Sequence, residues 1–265
     1  MILRWNGSQQ DQYGIPDGIA GPLQRHDTNI MRRTCRLPFL GLLLTTVVAA
    51  QSGQTKVSAA LDSADVIAWR KVGRGDFRGD RPPGAFAFGT GAIRPVAVTC
   101  AYVVASPRAR IYPYRVPGAE ADVAYQVRVE GLSFHALLSR SCSWWNPNAE
   151  ISPAYVLQHE QMHFDIFEIA ARRLNREVPG LLEAMDVRGP SEQSVVDGAQ
   201  RHVQAALARA LDETAARNQK FDLETSYGFE PTRQDAWRMS LDRDLRALMD
   251  HAAPLEALTP AALGK

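Results

Sequence analysis

The segment His159-Glu160-Gln161-Met162-His163 carries two histidines and a glutamate at a spacing that can bind and use a metal ion. Residues four apart on an α-helix lie on the same face, so both imidazoles can reach one ion. Zinc accepts neutral imidazole nitrogens and, with three protein ligands, keeps a fourth position open for water. Glu160 stands where it can take a proton from that water and later deliver it to a leaving amine. The motif therefore predicts a zinc (Zn²⁺) site of the metallopeptidase type.

A peptidase of this type needs a third zinc ligand, and the residues that follow the motif leave the choice open. The position six residues after His163 holds Ile169 instead of histidine, which excludes the metzincin arrangement. Glu168 lies five residues beyond His163 on the same predicted helix and points away from the two imidazoles. Glu183 follows His163 by 20 residues, a spacing similar to that of thermolysin-like enzymes, but no acidic partner follows it at the usual four-residue step.

Several segments around and beyond the motif share a wider pattern: Ser143–Trp145, Leu157–Ile166, Arg172–Leu174 and Phe221–Gly228, the last followed by Gln234 and Trp237. Together they resemble a bacterial family of predicted secreted zinc-dependent proteases, long catalogued only as a domain of unknown function. The likeness extends from about Asp65 to Asp250, and His159–Ile166 is its most specific part. The resemblance implies an exported zinc peptidase.

The same resemblance suggests candidates for the third ligand and for a second catalytic residue. The family pattern Asp-x-Glu-Thr-x-His-Gly matches this chain except at Tyr227, where histidine is usual. The run from Glu224 to Gly228 is also similar to the Asp-x-x-Tyr-Gly element of the aspzincins, whose acid binds zinc and whose tyrosine supports the oxyanion. By that analogy Glu224 is the third zinc ligand and Tyr227 donates to the developing oxyanion. Asp222 then orients a histidine or is itself the ligand, and Glu183 is a further alternative.

The elements that must position these residues differ between the two halves of the chain. Short β-branched and aromatic runs between Asp65 and about Arg140 predict strands at Val66–Val72, Ala92–Val104, Ile111–Tyr114, Val123–Val129 and Leu132–Leu138. From Ser152 onward the pattern becomes helical. We predict helices from Pro153 to Asn175 or Val178, ended by Pro179-Gly180; from near Ser191 through Asn218; and from a Thr232 cap, paired with Asp235, to about Asp250.

The N-terminal residues have the pattern of an export signal. Three arginines precede the apolar run Leu37–Ala50, which ends in small residues suited to cleavage before Gln51. A run of 14 residues is too short to span a bilayer comfortably, so we expect no stable membrane insertion after cleavage. Because a signal peptide starts near the N-terminus, we expect Met31 to be the true start and residues 1–30 to be a mis-annotated or disordered lead. The protein is expected to be periplasmic or secreted.

Composition and cysteine content fit that destination. The formal net charge is +1, which argues against nucleic acid as the main partner. Only Cys100 and Cys142 remain after residue 50, and a lone pair in an oxidising compartment predicts a disulfide.

We therefore predict an α+β fold in which a β-rich N-terminal half packs on a helical C-terminal half that carries the zincin-like HExxH helix. The protease-like domain would cover residues 65–250, and 251–265 would be a flexible tail. The predicted activity is hydrolysis of a peptide or protein substrate, with the strand at Val123–Val129 or Leu132–Leu138 pairing with the extended chain. Two alternatives are a catalytically inactive metal-binding envelope module and an amidase acting on cell-wall peptides.

Overall fold

The computed structural model describes residues 57, 58, 60–83 and 95–258. The predicted signal peptide and the residues before it lie outside this part of the chain. Strands occupy the described N-terminal half as far as Trp145, and long helices begin at Pro153. The predicted α+β class is confirmed.

Eight short strands occur among the described residues. They are β1 (Val66–Ala68), β2 (Ala97–Val98), β3 (Ala101–Ala105), β4 (Arg110–Arg115), β5 (Tyr125–Glu130), β6 (Phe134–Ser139), β7 (Trp144–Trp145) and β8 (Arg188–Gly189). They form three antiparallel sheets with the orders β1-β6-β3, β2-β7 and β4-β5-β8. Each predicted strand has a counterpart, although two of them are much shorter than predicted.

The two shortened strands have different causes. Strand β1 ends where the chain begins to contact the first long helix. After β1, the Trp69 indole donates to Asp165 Oδ1 at 2.8 Å, and the Val72 amide donates to Gln161 Oε1 at 2.7 Å. These contacts replace the sheet hydrogen bonds that a longer β1 would make. The strand predicted at Ala92–Val104 is divided into β2 and β3 by Thr99 and Cys100. Residues 92–94 lie outside the described residues.

Strands β5 and β6, the two that we predicted for substrate binding, differ in how much of an open edge they present. Strand β6 is the middle strand of its sheet, and all six of its residues are buried. Strand β5 is the middle strand of a different sheet, paired with β4 along its whole length and with β8 at its start. Within the described residues β6 is therefore closed on both sides, whereas residues 127–130 of β5 have no strand partner on the side of β8.

Three long helices form the second half: α1 (Pro153–Glu183), α2 (Glu192–Glu224) and α3 (Pro231–Ala247). The first two begin at the predicted caps, Ser152 and Ser191, and the Ser191 side chain accepts from the Ser194 amide. The cap of helix α3 lies two residues earlier than predicted, at Glu230 instead of Thr232.

Helices α1 and α2 are longer than the sequence pattern indicated. Helix α1 continues through Pro179-Gly180, which we predicted would end it. Val178, Leu181 and Leu182 pack against the main hydrophobic cluster, and this burial offsets the hydrogen bond lost at the proline. Helix α2 continues past Asn218 to Glu224, which adds about one and a half turns.

The sheets and helices are joined by a shared core and one covalent link. The main hydrophobic cluster combines Phe134 and Leu138 of β6 with Phe164 and Leu174 of α1. The predicted disulfide between Cys100 and Cys142 is confirmed, and a disulfide that closes a loop of this length contributes roughly 3–4 kcal/mol. This bond fits an exported protein. No helix of the described residues is long and apolar enough to cross a membrane.

The first residues of the predicted tail differ from expectation. Residues Leu255–Leu258 form a 3-10 turn, Ser106 Oγ donates to the Ala257 carbonyl at 2.6 Å, and Leu258 packs against a cluster that includes Tyr102. The segment up to Leu258 is therefore part of the folded body.

Candidate metal centre

Helix α1 places both histidines of the motif and the glutamate between them in the interior of the protein. His159 is 8% exposed and Glu160 only 3%. The two imidazole rings lie 4.9 Å apart, centroid to centroid, with their Nε2 atoms 3.3 Å from each other. The four-residue spacing of the two histidines therefore brings their Nε2 atoms close together, as predicted from the sequence.

Helix α2 supplies the residues opposite them. Asn218, Phe221 and Asp222 stand at positions i, i+3 and i+4, which share one face of a helix. Phe221 is fully buried; its ring stacks on His159 at 4.5 Å and meets His163 edge-on at 5.0 Å. This packing holds both imidazoles against α2.

Asp222 completes a triangle of donor atoms. Its Oδ1 lies 3.3 Å from His159 Nε2 and 3.1 Å from His163 Nε2. Among the described residues, these three form the group whose donor atoms are close enough to hold one metal ion. Donor atoms about 2.0–2.1 Å from a tetrahedral zinc ion lie roughly 3.3–3.4 Å apart, so the triangle has nearly the size that zinc requires.

The electrostatics of the triangle also suit a cation. Burial opposes ionisation of Asp222, but hydrogen bonds from His159 and His163 hold its pKa well below the usual range of a carboxyl group. Burial would lower the pKa of His163, but the hydrogen bond and charge of Asp222, with smaller contributions from Glu160 and Asn218, raise it to about 9. In the metal-free chain the triangle therefore holds an anion with a bound proton, and a metal cation would take the place of that proton.

The outer nitrogen of each histidine also has a partner. His163 Nδ1 lies 2.7 Å from Asn218 Oδ1, and His159 Nδ1 lies 3.1 Å from Oε1 of the fully buried Gln234 on α3. All three long helices therefore contact the two histidines.

Glu160 is held by the segment that joins β2 to β3. Thr99 Oγ1 donates to Glu160 Oε2 at 2.6 Å and lies 3.3 Å from the Glu160 carbonyl. Thr99 precedes Cys100, whose disulfide fixes this segment to the loop before β7. The β-rich half thus sets the position of the carboxylate that the motif supplies.

The turn after α2 closes the site over His159. Ser226, Tyr227 and Gly228 all have positive φ angles, of 50°, 56° and 89°. The Tyr227 amide donates to the Asp222 carbonyl at 2.7 Å, and the Tyr155 hydroxyl donates to the Gly228 carbonyl, also at 2.7 Å. A Cβ atom on Gly228 would lie 3.3 Å from His159 Nδ1. Glycine is required here both by its φ and by this close approach.

We expect Gly228→Ala to weaken metal binding and to lower the free energy of unfolding by about 1–2 kcal/mol, because it adds strain and pushes against His159. Gly118→Ala is the matched control. Gly118 has a φ of 73°, but nothing lies within 4 Å of its added Cβ. Chemical denaturation and zinc titration of both variants separate the two effects. Equal zinc affinities in the two variants would contradict the contact with His159.

The two predicted acidic alternatives to Asp222, Glu224 and Glu183, lie away from the triangle. The Glu224 carboxylate accepts from the Trp237 indole at 2.9 Å and lies 3.8 Å from Lys220 Nζ. Because α2 extends through Glu224, this side chain is rotated about 200° from Asp222 and does not face the histidines. Glu183 ends α1, about 30 Å along the helix from His163, which is too far for a ligand.

Tyr227 is placed beside the site but is turned outward. It is 48% exposed, and its phenol oxygen has no hydrogen-bond partner among the described residues. Tyr227 contacts the site through its backbone amide, which donates to the Asp222 carbonyl.

Four residues that contact the site were not singled out for it from the sequence: Thr99, Tyr155, Asn218 and Phe221. The four-residue spacing within a helix could have indicated two of them. Tyr155 precedes His159 by four residues, and Asn218 precedes Asp222 by four. A longer predicted α2 would have exposed that second relation. Thr99 had no signal, since its contact with Glu160 joins residues 61 positions apart.

Comparison with known protein families gives a match over part of the chain. The model of a family described as a bacterial protein of unknown function (DUF922) matches residues 149–228, which include the HExxH motif and Asp222. No curated protein and no solved structure matches the chain.

Proposed function

We propose that this protein is an exported zinc-dependent peptidase in which His159, His163 and Asp222 bind the metal. The observation that carries the proposal is the convergence of two imidazole nitrogens and one carboxylate oxygen within 3.1–3.3 Å of one another. Three such ligands leave one coordination position for water, which is the arrangement of catalytic rather than structural zinc sites.

Glu160 is the proposed general base. Zinc held by the three donors would supply Lewis acidity toward water and the peptide carbonyl. Glu160 takes the proton of the attacking water and passes it to the leaving amine. The Thr99 hydroxyl donates to one carboxylate oxygen of Glu160 and thereby selects the rotamer of this side chain. That rotamer also sets the direction of the other carboxylate oxygen.

Tyr227 is the proposed donor to the tetrahedral intermediate. Its hydroxyl has no hydrogen-bond partner among the described residues, and the side chain is half-exposed next to the triangle. A phenol in this state can turn toward a bound substrate and donate to the developing negative charge.

Strand β2 lies near the base, because Thr99, which contacts Glu160, follows it directly. Within the described residues, β2 pairs only with β7. We expect an extended peptide to pair along the opposite side of β2, the role that we had predicted for β5 or β6.

Hydrolysis of casein by the purified protein tests the proposed activity. A chelator should abolish hydrolysis, and stoichiometric zinc should restore it, because the zinc ligands alone cannot activate water. Hydrolysis that persists after complete removal of the metal would contradict the proposal. Bound zinc without hydrolysis of casein or of a peptide library would favour the inactive metal-binding module.

A further inference from the structure

Two side-chain amides, one partly and one fully buried, occupy the outer side of the metal triangle. Asn218 and Gln234 each place an amide oxygen against Nδ1 of one histidine, at 2.7 Å and 3.1 Å. Gln234 is fully buried, although burying a glutamine without satisfying its amide is unfavourable. Removing these two amides from water costs free energy that apolar residues would not. This cost indicates that the amides have a role that apolar residues could not fill.

The orientation of the Asn218 amide is fixed from behind. Its Nδ2 donates to the Thr214 carbonyl at 2.9 Å, one turn earlier on α2. A carbonyl only accepts, so the amide nitrogen must face Thr214 and the amide oxygen must face His163. An amide oxygen also only accepts, and therefore His163 Nδ1 must carry the hydrogen.

The Gln234 amide is held in a similar way from the side of α1. Its Nε2 donates to Gln158 Oε1 at 2.9 Å, and in this arrangement its Oε1 faces His159 Nδ1. The backbone of Gly228 lies against both groups: a Cβ there would be 3.5 Å from Gln234 Oε1. His159 is thus held between the Gln234 amide and the turn at Gly228.

We propose that Asn218 and Gln234 are positioning residues that hold both histidines as their Nδ1–H tautomers and thereby set the metal affinity of the site. In this tautomer each Nε2 directs a lone pair into the triangle, beside the Asp222 carboxylate. Three electron-rich atoms at 3.1–3.3 Å repel one another unless a proton or a metal cation lies between them. The opposite tautomers would direct hydrogens at Asp222 and make a hydrogen-bonded cluster that needs no metal.

Because the two amides are uncharged, they leave the net charge of the metal site unchanged. Many metal-bound histidines donate to a carboxylate, which makes the imidazole a more basic ligand. Here the outer partners carry no charge, and Asp222 is the one anion of the ligand set. A bound divalent ion therefore keeps a net positive site, which favours the polarisation of water and substrate.

Substitutions at Asn218 separate positioning from packing. Asn218→Leu removes both the acceptor for His163 and the donor to Thr214. Asn218→Asp keeps the acceptor and loses only the donor to Thr214. We expect zinc affinity to fall about 10–100-fold in the leucine variant and to stay at or above the wild-type value in the aspartate variant. Both variants should lose thermal stability in the metal-free state, since both lose the bond to Thr214.

Gln234→Leu and Gln234→Glu form a second pair with the same expected pattern. Asn175→Leu is the control for loss of an amide from these helices, because Asn175 bonds to Phe134 and His251 and not to the site. It should reduce stability without changing the zinc affinity of the folded protein.

The readout is the zinc dissociation constant from competition with a chromophoric chelator, together with the cobalt absorption spectrum of each variant. This inference rests on the metal site of the proposed function but not on peptidase activity. Zinc binding without hydrolysis would contradict the peptidase and leave the inference intact. Equal affinities in the leucine and aspartate variants of Asn218, or a wild-type protein that binds no zinc, would overturn the inference.

Discussion

Asp222→Ala is expected to lower the zinc affinity of the protein by more than about 100-fold, beyond the effect of removing an outer contact. The variant loses one of three donor atoms and leaves the two histidines facing an empty space, where Asp222 Oδ1 had been 3.1 and 3.3 Å away. Equilibrium dialysis followed by elemental analysis measures the change directly.

Glu224→Ala is the matched control, since Glu224 was the third ligand that the sequence favoured. It removes a carboxylate from the same helix, two residues away. Its lost contacts are the hydrogen bond from Trp237 and the ion pair with Lys220, both at the surface. We expect wild-type zinc affinity. The reverse pattern, with zinc lost in Glu224→Ala and kept in Asp222→Ala, would return the ligand to Glu224.

Glu160→Gln is expected to lower kcat by about 10²–10⁴-fold while zinc remains bound. Glutamine keeps the length of the side chain and an oxygen that can accept from Thr99, so the local structure should persist. It cannot take a proton from water. The measurement is kcat on a peptide taken from the casein digest, with zinc content determined on the same sample.

Glu183→Gln provides the control for this substitution. It makes the same chemical change on the same helix, about 30 Å from the histidines, and should leave both kcat and zinc content unchanged. If Glu160→Gln keeps wild-type turnover, Glu160 is not the base and the mechanism is wrong.

Local patterns predicted much of the fold. Ser152-Pro153 and Ser191 marked the beginnings of α1 and α2, because caps act within one turn. The disulfide followed from having one cysteine pair after an export signal. The ends of both helices were missed. Pro179 lowers helix propensity locally, but apolar side chains on either side of it, Val178 and Leu181 among them, are partly buried by tertiary packing that no local pattern reveals.

The same limit explains the site. The motif gave His159, Glu160 and His163 because their relation is local to one helix. The choice between Asp222 and Glu224 depended on whether that segment is helical. In a helix, side chains two residues apart point in directions that differ by about 200°, so only one of the two can face the histidines. Once α2 is known to reach Glu224, Asn218, Phe221 and Asp222 must share a face. The contacts of Thr99 and Gln234 depend on tertiary packing and have no local signature.

The most direct test of the central claim is the zinc K-edge X-ray absorption spectrum of the purified, zinc-loaded protein. Two imidazole nitrogens and one carboxylate oxygen, with a further light atom from solvent, should appear at about 2.0–2.1 Å in four-coordinate geometry. Asp222→Ala should lose the carboxylate signal and Glu224→Ala should keep it. A protein that retains no zinc, or a spectrum without imidazole scattering, would contradict the assignment of His159, His163 and Asp222 as the metal site.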